Sequence, residues 1–103
     1  MCGFVGFSNL NCDISSGENI NNIKVLTSSL SHRGPDEEGF YFSKHINLGH
    51  RRLIILDKEN GTQPMSFKAY NNIYTIVYNG QLYNAKDIRE ELIKSGYEFK
   101  RLF

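Results

Sequence analysis

The run Ile73-Tyr74-Thr75-Ile76-Val77-Tyr78 constrains the fold more tightly than any other part of this 103-residue chain. β-Branched and aromatic residues fill it, as in a strand, and apolar side chains stand at both odd and even positions. Such a strand has no polar face to turn to water, so it reads as one sandwiched between layers. Other elements of the chain have to cover it.

Near the N-terminus, "CGFVGF" reads as a short strand whose glycines mark close backbone approach, and "NLNCDISSGEN" as a loop. From Ile20, the apolar residues Ile23, Leu26 and Leu30 recur at helical spacing. They predict an amphipathic helix over 19–31, capped by Asn19 or Ser16, with that face on a sheet. The Gly-Pro pair in "SHRGPDEEG" forces a turn. Strands follow in "FYFSK" and "INLGHRRLIIL", separated by a tight turn near Lys44 and His45, and "DKENGTQP" is a further loop. "MSFKAY", "NN" and "IYTIVYNG" read as a hairpin. A second helix over 85–95 has Asn84 as N-cap, Asp87 three residues on, Ala85, Ile88 and Leu92 on one face, and Gly96 as its stop. "YEFKRLF" starts another strand, so the chain reads as the first part of a longer domain.

Helices and strands of this kind, in a chain that is 40% hydrophobic and 22% charged, predict a folded α+β domain. A formal net charge of +1 gives no field for recruiting nucleic acid or an anionic membrane. No apolar run approaches the roughly 20 residues that span a bilayer. Two cysteines, Cys2 and Cys12, make no disulfide framework, and the expectation is a reducing, cytoplasmic setting. Three histidines and no CxxC pair leave no metal-ligand spacing, so no metal is expected in this domain.

The chemistry starts at Cys2. A free cysteine most often packs as a small hydrophobe. Here, removal of Met1 gives Cys2 a free α-amine, and a thiol of pKa about 8.5 beside an amine of pKa about 7.7–8.0 carries its own general base. The nucleophile attacks a carbonyl carbon, and the oxygen that gains charge needs donors. The Asn79 side chain and the Gly80 backbone N–H can supply them, although Asn-Gly is also a common hairpin turn. In "GHRRLIILD", Arg51 and Arg52 face opposite sides of a strand, so only one enters a given pocket. Arginine suits bidentate capture of a carboxylate, with a solvated basic turn as the plainer reading. "HRGPDEEG" reads as a rigid turn with a local Arg33–Asp36 pair, structural rather than catalytic.

Taken together, MCGxxG, HRGPDxxG, GHxRLxIxD, the Gln63-Pro64 pair and YNGxxYN, in that order, resemble the glutaminase domain of glutamine-hydrolysing asparagine synthetases. These are class II glutamine amidotransferases with an N-terminal-nucleophile hydrolase fold. The resemblance runs from residue 2 to residue 84 and through the helix beyond. Pro35, Leu53, Gln63-Pro64 and Tyr83-Asn84 set it apart from the hexosamine-phosphate synthases, and Cys2 from the β-lactam synthetase relatives. It implies an αββα sandwich present here only in its N-terminal part, residues 1–103, with the synthetase domain absent.

The resemblance also implies roles. Cys2 is the nucleophile, and Asn79 and Gly80 form the oxyanion hole. Arg52 holds the α-carboxylate of L-glutamine, backed by the backbone of Leu53, Ile54, Ile55 and Leu56. Glutamine forms a γ-glutamyl thioester on Cys2 and releases ammonia; water then releases glutamate. The ammonia serves ATP-dependent asparagine synthesis from aspartate, with ATP and Mg confined to the synthetase domain. This chain departs from the family at Gln81, where a glutamate near the substrate ammonium is usual, so glutamine binding is expected to be weaker. The family's Ser-Asp segment is expected after residue 103, and the fragment by itself is expected to be inactive. A homodimer is a possible partner state, because missing strands leave an apolar face uncovered. The competing reading is a catalytically silent truncated module that self-associates or binds a partner chain.

Overall fold

The computed structural model describes residues 2–55 and 58–99. Among these, strand β1 is Gly3–Ser8, helix α1 Gly17–Ser28, strand β2 Glu37–Phe42 and strand β3 Ile46–Arg52. A hairpin of β4 (Met65–Ala69) and β5 (Asn72–Ile76) follows, then helix α2 (Ala85–Lys94). The domain is α+β. Its strands form a three-stranded antiparallel sheet in the order β1-β3-β2, and the hairpin forms a separate two-stranded sheet.

Helix α1 starts where Ser16 caps it, the side chain accepting the Asn19 N–H. It ends at Ser28, three residues short of the expected end. Its buried residues are Ile23 and Thr27, whereas Leu26 is 47% exposed. The face turned to the sheet therefore runs through Ile23 and Thr27 and not through Leu26. Thr27 satisfies its buried hydroxyl by donating to the Ile23 carbonyl at 2.6 Å. It lies against Gly49 of β3, where a Cβ would overlap the Thr27 hydroxyl. The missing side chain lets helix and sheet approach.

The sheet register matches two charges on each face. Glu37 stands opposite Arg52, and Glu38 opposite Arg51. Directly opposed residues share a face, and neighbours along a strand alternate. Each arginine thus meets its own glutamate: Arg52 Nη1 lies 2.9 Å from Glu37 Oε2, and Arg51 Nη1 lies 3.2 Å from Glu38 Oε2. Arg51 also donates to the Gly34 carbonyl at 2.8 Å. Gly34 is buried so close to the Arg51 backbone that no Cβ fits there.

On the face of β3 that carries Arg52, His50 is 1% exposed. What covers it is the connection between β3 and β4. The Gln63 backbone carbonyl lies over Gly39, the cross-strand neighbour of His50, in space a Cβ would fill. The Gln63-Pro64 peptide is cis. At its other end the same face is open: Phe4, Gly6, Phe7, Ser8, Ile46 and Leu48 line a shallow apolar hollow.

The hairpin departs from expectation in two ways. Its turn is Tyr70-Asn71, with φ of 51° and 66°, and not Asn71-Asn72. Two consecutive left-handed residues make the tight two-residue loop whose twist matches antiparallel strands, pairing Ala69 with Asn72. Moreover, β5 is not sandwiched: Ile73, Tyr74 and Ile76 are 67%, 58% and 56% exposed. Met65, Phe67, Tyr74 and Ile76 share one side by register, on which Met65 is half-buried and the other three are exposed.

Helix α2 begins after Asn84, whose side chain makes no capping bond, and none of its residues is fully buried. Its stop is as expected. Gly96 has a φ of 96°, with Gly96 N–H bonded to the Ile93 carbonyl and Tyr97 N–H to the Leu92 carbonyl. That is a Schellman motif, and it needs the left-handed glycine. Arg89 lies over the Phe99 ring at 4.7 Å. Residues 97–99 are not strand, and the rest of the expected last strand, 100–103, lies outside the described residues.

Candidate active site

Cys2 immediately precedes β1, so the backbone direction of the central sheet fixes where its side chain goes. Sγ accepts the Leu53 N–H at 3.3 Å and the thiol reaches the Leu53 carbonyl at 3.7 Å. Leu53 in turn immediately follows β3. The antiparallel pairing of Gly3 with Arg51 brings the start of one strand to the end of the other, although the cysteine and Leu53 are 51 positions apart.

Around this pair lies a cleft of about 210 Å³. Cys2, Arg52, Leu53, Ile55, Asn79, Gly80 and Gln81, all candidates from the sequence, line it. Ile54 does not. Its N–H donates to Asp36 Oδ2 at 2.8 Å, which ties the "RGPD" turn to the segment leaving β3. Asp36 therefore serves that segment rather than the local Arg33 pairing expected. Strand β3 ends at Arg52, earlier than expected, so Leu53–Ile55 runs along the cleft as irregular backbone; Leu56 lies outside the described residues.

Arg52 is 4% exposed, which rules out a solvated basic turn. Its Nη1 donates both to Glu37 and, at 2.9 Å, to the Lys58 carbonyl. Glu37 also accepts from the Thr62 hydroxyl at 3.3 Å. A buried guanidinium held at several points has little rotational freedom, and its charge is partly balanced within the domain. Beneath it, burial pushes the pKa of His50 below the usual imidazole value, and the Arg52 charge pushes the same way. A hydrogen bond with the Tyr78 backbone and the charge of Glu37 oppose this. Its lowered pKa favours the neutral ring at pH 7, and its buried Nε2 has no hydrogen-bond partner among the described residues.

Asn79-Gly80 is not a hairpin turn. It follows the end of β5 and bends across the cleft, with Gly80 so near the Tyr78 ring that a Cβ would lie 2.8 Å from the phenol oxygen. Three further residues line the cleft without having been singled out for it: Gly61, Gln63 and Tyr78. Gln63 takes the Tyr78 N–H on its side-chain oxygen at 2.6 Å. The Gln63-Pro64 pair was visible in the sequence, but a glutamine side chain that accepts a bond from a segment 15 positions on leaves no periodic signal.

The family profile of the glutamine amidotransferase domain matches residues 1–101, and the chain belongs to that family. Among curated relatives it is similar to asparagine synthetase (glutamine-hydrolyzing) 1 of Bacillus subtilis, with 41% identity over 99 residues, 96% of this chain and 15% of the relative. Asparagine synthetase (glutamine-hydrolyzing) 3 of the same organism is 38% identical over 101 residues, 98% of this chain and 16% of the relative. The enzyme numbered 3 in Arabidopsis thaliana is 38% identical over 94 residues, 89% of this chain and 15% of the relative. The chain thus spans 15–16% of the length of these relatives. Among the described residues, no helix is long and apolar enough to cross a membrane.

Proposed function

We propose that this domain hydrolyses the side-chain amide of glutamine through Cys2 and supplies the ammonia to asparagine synthesis. The observation that carries the reading is the convergence on one cleft of Cys2, Arg52 and the 79–81 segment, which are widely separated in sequence. A module without chemistry has no need to direct a backbone N–H at a thiol or to bury an arginine beside it. The silent-module reading is therefore the weaker one.

In the proposed reaction, Met1 is first removed and the freed α-amine of Cys2 takes the thiol proton. Sulfur attacks the glutamine amide carbon, and Asn79 with the Gly80 N–H stabilises the oxyanion. Collapse breaks the carbon–nitrogen bond, the amine returns its proton, and ammonia leaves a γ-glutamyl thioester. Water adds to the thioester, the sulfur leaves, and glutamate is released. Arg52 draws in the substrate α-carboxylate, and Leu53 and Ile55 lie along the substrate, with Gln81 near its ammonium.

The names of the relatives and their greater length support placing residues 1–103 as the first part of an αββα glutaminase domain joined to a synthetase domain. On this reading ATP and magnesium act in that second domain, on aspartate. No group of three His, Cys, Asp or Glu side chains suited to a metal occurs among the described residues here. Both cysteines are free, which supports a cytoplasmic setting.

The test is glutamate release by the complete polypeptide carrying this sequence, begun at Cys2. The expected result is activity that disappears in Cys2→Ala and in a chain that retains Met1. Activity persisting in Cys2→Ala overturns the reading.

A further inference from the structure

Gln63 touches both the three-stranded sheet and the segment that follows the hairpin. Its backbone carbonyl rests on Gly39 of β2, in space that any other residue at 39 would fill with a side chain. Its side-chain oxygen accepts the Tyr78 N–H at 2.6 Å. Strand β5 ends at Ile76, so Tyr78 lies past the last β-ladder pair, and Gln63 supplies the bond that the ladder no longer provides. The next two residues are Asn79 and Gly80, which lie on the cleft beside Cys2.

One side chain therefore sets the backbone course of the segment that carries both proposed oxyanion donors. Such donors act only when they are held where charge develops, and a shift of about 1 Å can cost roughly 100-fold in rate.

We propose that Gln63 is a positioning residue for the oxyanion-binding segment, acting through the Tyr78 N–H and controlling formation of the acyl-enzyme rather than the capture of glutamine. The inference rests on the glutaminase reading above. It assigns to the Gln63 side chain a role separate from lining the cleft: a residue that merely touched substrate would show itself in KM.

The experiment compares Gln63→Met, which removes the oxygen acceptor at similar length, with Gln63→Glu, which keeps one. Both are made in the complete, Cys2-started protein, with Cys2→Ala in parallel. Steady-state glutamate release and hydrogen exchange at the Tyr78 amide are measured. The expected result for Gln63→Met is a kcat lowered by about 10-fold or more with KM held within about twofold, and faster exchange at Tyr78. Gln63→Glu is expected to retain most of kcat and the slow exchange.

A raised KM with unchanged kcat, or unchanged kinetics in Gln63→Met, overturns the proposal, as does a Gln63→Glu variant as impaired as Gln63→Met. If Gln63→Met does not fold, Gln63→Asn is read instead, since it draws the acceptor back by one methylene: lowered kcat at constant KM supports the proposal and unchanged kcat overturns it. Glutamate release that survives Cys2→Ala removes the glutaminase reading itself. Release lost in Cys2→Ala but unaltered in Gln63→Met removes only the role of Gln63.

Discussion

Residue 81 is where this chain differs most consequentially from the pattern it otherwise follows. Gln81 lies on the cleft next to Gly80, and in the proposed reaction an acidic side chain there would face the substrate ammonium. A neutral amide accepts a hydrogen bond there without the charge-assisted part, which makes such bonds roughly twice as strong. Gln81→Glu is therefore expected to lower the glutamine KM severalfold and leave kcat nearly unchanged, measured by steady-state kinetics; an unaltered KM would show that residue 81 does not meet the ammonium. At this scale the sequence was readable where chemistry needs a particular atom. Cys2, Arg52, Asn79 and Gly80 were singled out on that ground, and they line one cleft. Gln63 was not readable in the same way, because its function depends on which backbone happens to pass within hydrogen-bond reach.

Among the elements, the contact of α1 with β3 is the tightest. Thr27 occupies the space above Gly49, and its hydroxyl is already committed to the Ile23 carbonyl. Gly49→Ala forces either the helix or the strand to move, at a cost of about 1–3 kcal/mol. Chemical denaturation should register it, and a stability equal to that of the parent would mean that the helix yields freely. Helical spacing located α1 but misplaced its buried face by one residue, since Leu26 and Thr27 are adjacent and hydrophobicity favoured the leucine. The sheet decided otherwise, because a glycine in β3 admits only a short side chain. The Ser16 cap and the Gly96 stop were legible, as each satisfies backbone groups of its own helix end. The hairpin turn was shifted by one residue because Tyr70, a poor left-handed residue, adopts that conformation under the pairing of Met65–Ala69 with Asn72–Ile76.

For the molecule as a whole, the apolar β5 reading was half right. The composition of a covered strand is present, but Ile73, Tyr74 and Ile76 stay exposed in the described chain. Periodicity reports what a segment is suited to, not which segments are there to cover it. The covered part of the structure instead centres on the α1–β3 contact and the buried His50-Arg52 layer. That layer makes stability depend on pH in a definite direction. His50 is held below its unfolded value of 6.5, so at intermediate pH the unfolded chain binds more protons than the native one. Its contribution is complete above pH 6.5 and declines as pH falls from there toward the native pKa, by at most about 1.4 kcal/mol per pH unit. Thermal unfolding followed between pH 7.5 and about 5 should show this loss, and His50→Phe should flatten the profile; an equal slope in the variant would place the dependence elsewhere.

The chemistry at Cys2 is open to direct observation. The complete protein begun at Cys2 is mixed with glutamine, quenched in acid within a turnover and digested, and the N-terminal peptide is weighed. The account predicts a γ-glutamyl adduct on Cys2, heavier than the free thiol by glutamine less ammonia, that disappears as glutamate accumulates. Glutamate formed at full rate with Cys2 unmodified, and still formed by Cys2→Ala, would contradict it.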